Sequence, residues 1–369
     1  MTSILTFLYN AFAFIFVISL LVFVHEFGHY IACVWCKVRV ASFSIGMGKE
    51  VFGWNNKRGE RWKISMLPIG GYVMMYGDAD ASSGTADKKL LKTVTEEEKK
   101  TIIYFQPAWK KLIITAMGPI FNLVFAILLF ASMYMTDGIS ITKPIISDIL
   151  SESAAFNVLQ KNDEIIEING EKIDTFNQIQ AIVGIGNGEV LNIKFLRNGA
   201  KQNVTIIPTK KITKDMFGND IEGYFIGITS TNTESKRLNF FQSMGQGIKT
   251  TYKISKNTLV VLGQMIAGKR GGDGLGGPLK IAQYSAQSFN GGIILVIYFL
   301  GMLSANLGLM NLLPIPVLDG GQIFFLLIEM IVRRPIPEKI QERLLQAGIC
   351  ILLTVMIFAT FNDVKGFFK

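Results

Sequence analysis

Four stretches of this chain are long and apolar enough to cross a lipid bilayer, and they decide its architecture before any other feature does. A helix needs about 20 apolar residues to span the hydrocarbon core. The candidates run from Ile4 to Val34, Leu112 to Met135, Ile293 to Leu313 and Leu345 to Phe361. In lipid, backbone polar groups must be paired within the segment, so each stretch is predicted to be a helix. Only 50% of the 369 residues are hydrophobic, which leaves room for a sizeable part outside the membrane. The first stretch lacks the basic start and small-residue cleavage site of a signal peptide, and is expected to remain in the mature protein.

The basic residues orient these spans. Lys37 is the first Lys or Arg in the chain, and Arg39, Lys57, Arg58, Arg61 and Lys63 follow it. Lys110 and Lys111 precede the second span, while Arg333, Arg334, Lys339 and Arg343 lie between the third and fourth. By the positive-inside rule these loops are cytoplasmic, with the N-terminus, the 137–290 region and the C-terminus outside. The net charge of +9 therefore points to loops and lipid headgroups. No basic module interleaved with aromatics is visible, so nucleic-acid binding is not expected. Three cysteines cannot make a disulfide framework, and Cys33, Cys36 and Cys350 are expected to be packing residues.

Against this apolar background, His25-Glu26-Phe27-Gly28-His29 stands out at the end of the first span. Two imidazoles four residues apart share a helix face and can hold one zinc ion, with Glu26 between them as a general base for water. Ionisable groups at membrane depth are costly and face a protein interior or a wet cavity. His25 lies ~30 Å along the helix from Ile4, at ~1.5 Å per residue. That places it toward the cytoplasmic face.

A catalytic zinc usually takes three protein ligands, and the chain has no histidine beyond His25 and His29. Asp319 is the outstanding candidate for the third, in the run Asn311-Leu-Leu-Pro-Ile-Pro-Val-Leu-Asp319-Gly320-Gly321. Its two prolines break the helix, and such breaks persist at membrane depth only where protein or a cavity covers them. A carboxylate beyond that break, followed by Gly-Gly, can turn back toward a metal.

Between the first two spans, residues 38–77 are predicted as strands. Asn55-Asn56-Lys57-Arg58-Gly59 forms a turn between Val51-Phe52 and Trp62 to Met66. Asp78 to Lys100 is a polar connection, with Ser82-Ser83-Gly84 as a loop. Ile139 to Pro208 is predicted as a compact α/β module, with a strand at Ile165–Ile168, a helix near Phe176 to Val183 and strands around Val190–Leu196 and Val204–Pro208. Asn198-Gly199 supplies the hairpin turn between the last two strands. This order resembles a PDZ domain, a fold that binds extended peptides at a sheet edge. Phe240 to Met265 is expected to be an interfacial helix. Gly271 to Pro278 is expected to be a loop, without the lysine of a phosphate-binding loop, before an amphipathic stretch at Leu279 to Gln287 on the outer surface.

The predicted organisation is a first transmembrane helix at 1–36, a β-region and loop at 37–111, and a second helix at 112–136. The PDZ-like domain follows at 137–210, then a linker with amphipathic segments at 211–290. A third transmembrane segment at 291–332 precedes a loop and fourth helix at 333–369. The fold class is thus a polytopic α-helical membrane protein of about four transmembrane helices, with a membrane-associated β-region and one extracytoplasmic PDZ-like α/β domain.

HEFGH in the first span, a PDZ-like insert and NLLPIPVLDGG in the third together resemble the site-2 protease family. Within it, the chain is similar to bacterial regulated intramembrane zinc metalloproteases that process anti-sigma factors. The resemblance covers nearly the whole chain. It implies Zn2+ held by His25, His29 and Asp319, with Glu26 activating water, in the bacterial cytoplasmic membrane. It further implies that residues 38–77 receive an extended substrate segment and that Asn306 and Asn311 lie near the substrate backbone. The implied substrates are single-pass membrane proteins, either anti-sigma factors or remnant signal peptides. Gly118-Pro119-Ile120-Phe121-Asn122 fits the family's second-span pattern, without a role assigned to it. The single PDZ-like copy departs from members that carry two. A different class also accommodates the sequence: a non-enzymatic PDZ-containing membrane receptor or scaffold with a structural metal.

Overall fold

The apolar run at the start of the chain forms one unbroken helix, α1 (Thr2–Trp35). Two long strands follow, β1 (Val40–Asn55) and β2 (Arg61–Met75), then short helices α2 (Leu90–Thr93) and α3 (Glu96–Lys99) and the long helix α4 (Ala108–Asp137). Next come β3 (Ile139–Thr142), β4 (Asp148–Ile149), β5 (Glu164–Ile168), β6 (Glu171–Lys172), α5 (Phe176–Ile185), β7 (Leu191–Arg197) and β8 (Ala200–Ile206). Four further strands, β9 (Thr209–Lys214), β10 (Asp220–Phe225), β11 (Ile228–Thr229) and β12 (Thr233–Lys236), lead into α6 (Phe240–Ile266). The chain ends with α7 (Pro278–Asn290), α8 (Ile293–Leu312), α9 (Asp319–Val332) and α10 (Glu338–Phe367). The computed structural model describes residues 2–80, 86–214, 218–272, 276–334 and 336–367. The loop expected at Ser82 to Gly84 and the centre of the glycine-rich run, residues 273–275, lie outside the described residues.

Four helices have the length and composition of membrane spans: Ile4–Trp35, Ala108–Asp137, Ile293–Leu312 and Lys339–Lys365. They match the four apolar stretches predicted from sequence. The expected third segment at 291–332 is divided by the proline-containing turn after Leu312. α8 alone has the length of a crossing, and α9, with 14 residues, is ~21 Å long at ~1.5 Å per residue. The chain forms two units, Met1–Phe130 with Asp273–Lys369, and Ala131–Gly272.

In the first unit, β1 and β2 curl on each other. Ser42 pairs with both Met74 and Arg61, and Ile45 with both Gly71 and Ile64. The first half of β1 therefore lies between the two halves of β2, while the second half of β1 pairs only with the start of β2. No further strand pairs with residues 71–75 among the described residues, so they form a free edge, closed at its end by Asp78, which accepts the Met75 N–H at 2.7 Å. Phe43 stacks on Trp62 and meets Tyr30 edge-on. Cys33, Val38, Val40 and Ile114 complete this core where α1, the hairpin and α4 meet. The hairpin turn is tied to α1 by the buried Glu60, which accepts from the Tyr30 hydroxyl at 2.7 Å. Cys33 and Cys36 are buried as expected, but Cys350 is exposed on α10.

The stretch at Leu279 to Gln287, expected on the outer surface, instead packs within this unit as α7, against α1, α8 and α10. Ser285 and Ser288 are fully buried. They donate to helix carbonyls, Ser285 to Ile281 and Ser288 to Ser285, each at 2.7 Å. Small side chains that satisfy themselves in this way let helices approach closely. The buried Asp363 of α10 accepts the N–H groups of Gly277 and Lys280 at 3.0 and 3.1 Å, capping α7.

The second unit has a four-stranded sheet in the order β6-β5-β7-β8, with α5 supplying Phe176, Ile179 and Val183 to the core. The β7–β8 hairpin turns at Asn198 and Gly199, which have φ of 51° and 80°, as the Asn-Gly signal predicts. The unit extends past residue 210 and takes in much of the expected linker. β12 pairs with β3 and β11 with β4, and Ile226 is 3% exposed within the same core as Ile165 and Ile193. α6 forms a single helix, begun by a capping box between Asn239 and Gln242.

Candidate metal centre

α1 carries His25 and His29 one turn apart, and their Nε2 atoms are 3.3 Å from each other. Asp319 reaches them from the other end of the chain. After α8 the backbone turns through Leu313–Leu318, held by Ile315 N–H to Leu313 O at 2.7 Å and Leu318 N–H to Ile315 O at 2.9 Å. Gly320 and Gly321 lie against the carbonyls of Leu313 and Ile315 so closely that neither position has room for a Cβ. That close approach starts α9 with Asp319 as its first residue, where a carboxylate suits the helix dipole.

The Asp319 oxygens lie 3.2 Å from His25 Nε2 and 3.6 Å from His29 Nε2. Zinc bound at ~2.0–2.1 Å in a tetrahedron spaces its ligand atoms ~3.3–3.4 Å apart. The three observed separations straddle that value, and the three residues make up a cluster able to hold a metal ion. His29 donates its Nδ1–H to the carbonyl of Ile114 at 2.8 Å, which leaves the Nε2 lone pair directed at the cluster. With neutral imidazoles, Asp319 and Glu26 bring two negative charges to the site, which a divalent cation balances. The donor set therefore fits zinc.

Glu26 follows His25 on α1, beside the hairpin. A Cβ on Gly71 of β2 would lie 3.0 Å from its Cγ. The free edge formed by residues 71–75 thus begins next to Glu26. Asn306 and Asn311 are half-buried in the last two turns of α8, just before the turn that delivers Asp319.

α4 supplies parts of the site to which the sequence assigned no role. Gly118 faces His29, and any side chain there would run into the imidazole. Asn122 is fully buried, with its Nδ2 3.0 Å from His25 Nδ1, and its backbone carbonyl accepts from Ser304 of α8 at 2.7 Å. The Gly-Pro-Ile-Phe-Asn pattern flagged this segment. Only the packing of α4 on α1 shows what it does.

The sequence model of peptidase family M50 matches residues 13–355. A protein of Agrobacterium fabrum, provisionally named a zinc metalloprotease, is 38% identical over 358 residues, which are 96% of this chain and 95% of that one. Proteins with the same provisional name from Rickettsia conorii and Campylobacter jejuni are each 35% identical over 360 residues. They align with 96% and 95% of this chain and with 98% and 92% of their own. Among solved structures, the PDZ domain of an SdrC-like protein from Listeria monocytogenes aligns with 24% of this chain and 85% of its own. It does so at 20% identity and a TM-score of 0.20. A family match over most of the length, with relatives aligned nearly end to end, leads to one conclusion: the chain belongs to peptidase family M50 and is a multi-pass membrane zinc metalloprotease.

Proposed function

We propose that this protein is an intramembrane endopeptidase that hydrolyses peptide bonds within or near the transmembrane segment of single-pass membrane proteins. The observation that carries the reading is the convergence of His25, His29 and Asp319 from two distant segments onto one point, with Glu26 beside them on a membrane-spanning helix. In this reading His25 Nε2, His29 Nε2 and an Asp319 oxygen hold the zinc. A bound zinc ion lowers the pKa of water toward ~7 and polarises a carbonyl. Glu26 takes the proton from the attacking water and returns it to the leaving amine nitrogen.

A substrate helix has its carbonyls hydrogen-bonded and sterically covered, so the scissile segment must unwind. Unpaired backbone groups in lipid cost several kcal/mol each. The free edge at residues 71–75 offers strand pairing that offsets this cost, and Asn306 and Asn311 offer side-chain amides near the same chain. Met47, Phe52, Trp54, Ile64, Met66 and Leu67 are exposed on the hairpin, which favours contact between this β-region and lipid. The basic loops favour a site toward the cytoplasmic side and the 137–210 module outside, where a PDZ-like domain would exclude substrates whose ectodomains have not been trimmed. Anti-sigma factors and remnant signal peptides are the proposed substrate classes.

The test is to incubate the detergent-purified protein with a panel of single-pass proteins, using Glu26→Gln as control, and to map the cuts by mass spectrometry. Cuts inside the apolar spans that vanish in the variant support the reading. Cuts confined to soluble ectodomains contradict it.

A further inference from the structure

Where α4 meets α1, three of its positions spaced by four, Ile114, Gly118 and Asn122, face the two histidines, the first two facing His29. Asn122 faces His25. It is fully buried, its Nδ2 lies 3.0 Å from His25 Nδ1, and its Oδ1 has no hydrogen-bond partner.

An imidazole that gives its Nε2 lone pair to a metal carries its proton on Nδ1. Nδ1–H facing an asparagine NH2 would put two donors together while a buried acceptor next to them went unused. Buried polar groups are almost always paired. The oxygen and NH2 of an amide occupy nearly the same space, so a half-turn of the side chain pairs the oxygen with Nδ1–H without moving another atom, and the NH2 takes the place that has no partner. Oδ1 then accepts from Nδ1–H. Nothing else about the packing changes, and the carbonyl of Asn122 stays tied to the buried Ser304 of α8.

We infer that Asn122 is the positioning residue of this metal centre: its side-chain oxygen accepts the Nδ1–H of His25, which fixes the tautomer and ring plane that present Nε2 to the ion. His29 receives the same service from the backbone of Ile114. One helix thus orients both imidazoles, one through a carbonyl of its backbone and the other through a side chain. The inference rests on the reading of His25 as a zinc ligand.

The test compares Asn122→Asp and Asn122→Leu in the detergent-purified full chain, by zinc titration against a competing chelator and by the visible spectrum of the cobalt-loaded protein. Outer-shell partners of metal-bound histidines are typically worth 10–100-fold in metal affinity. Asn122→Leu is therefore expected to weaken zinc by about that factor and to shift the cobalt bands. Asn122→Asp, which keeps the acceptor, is expected to stay within about threefold of the wild type with its bands in place. A packing role gives the reverse order, because a buried leucine is tolerated where a buried charge is not. If the leucine variant does not fold, Asn122→Ala takes its place with the same expectation. Wild-type zinc affinity in the leucine or alanine variant overturns the inference, and so does equal loss in the aspartate variant. Failure of the ligand reading is distinguishable, since His25→Ala would then bind zinc as tightly as the wild type.

Discussion

Gly118 of α4 lies directly against the imidazole of His29, with no space between them for a methyl group. This contact brings the two helices close enough for the Ile114 carbonyl, four residues back along α4, to accept from His29 Nδ1 at 2.8 Å. Gly118→Ala is expected to push the ring off its position. Overpacking of this kind costs about 1–3 kcal/mol, and here the cost falls on the metal ligand. Zinc affinity, measured by chelator competition, should fall about tenfold or more while the protein remains folded. Unchanged affinity would mean that the ring position is not set by this contact.

Asp319 is the proposed ligand from the second segment. Asp319→Asn keeps the shape and removes the charge, and should lower zinc occupancy to well below one ion per chain after dialysis, as read by elemental analysis. Treating the wild type with a strong chelator should abolish cleavage, and added zinc should restore it. One zinc per chain in the Asn variant would remove Asp319 from the ligand set.

The hairpin edge makes a different prediction. A Cβ on Gly71 would lie 2.7 Å from the Ser44 carbonyl, 2.8 Å from a Val22 methyl carbon and 3.0 Å from Glu26 Cγ. Gly71→Ala should therefore disturb Glu26, the proposed general base, and leave the proposed ligands in place. The expected result is full zinc occupancy with turnover reduced about tenfold or more, the loss being in kcat. Loss of zinc in this variant would show that the hairpin supports the metal site itself.

The 131–272 unit has its own keystone. Asp163 is 1% exposed, and Arg197 holds it with two hydrogen bonds, at 2.9 and 2.7 Å. Arg197→Met leaves a buried carboxylate without its cation, a change that typically costs about 3–5 kcal/mol. Proteolysis of this unit across a urea series should show a clearly lower midpoint, with zinc binding unchanged. An unmoved midpoint would contradict the assignment.

The candidate cluster was legible in the sequence wherever one segment carried the signal. His25 and His29 share a helix face by spacing alone, and with no other histidine in the chain the missing ligand had to come from elsewhere. The Pro-x-Pro break before Asp319 pointed to a candidate, which the fold brings to 3.2 and 3.6 Å from the two imidazoles. Residues whose roles depend on a facing helix were not legible. Gly118 and Asn122 sit in an apolar run, and only the packing of α4 on α1 gives them partners. α7 was expected as an amphipathic stretch on the outer surface. In the fold Ser285 and Ser288 bond to their own helix, which makes the face small and buriable. Residues 211–236 were expected to lie in a linker with amphipathic segments. β9 and β10 pair with each other, while β11 and β12 pair with β4 and β3 over a long range that leaves no local pattern.

In the proposed reaction Glu26 acts as the base beside an intact metal centre on a membrane-spanning helix. The most direct measurement is zinc content and cleavage of a transmembrane reporter in the same purified sample of Glu26→Gln. The expected result is one zinc per chain, as in the wild type, and cleavage reduced by at least about a hundredfold, in the range expected for loss of a general base. Cleavage at the wild-type rate in zinc-loaded Glu26→Gln would contradict it.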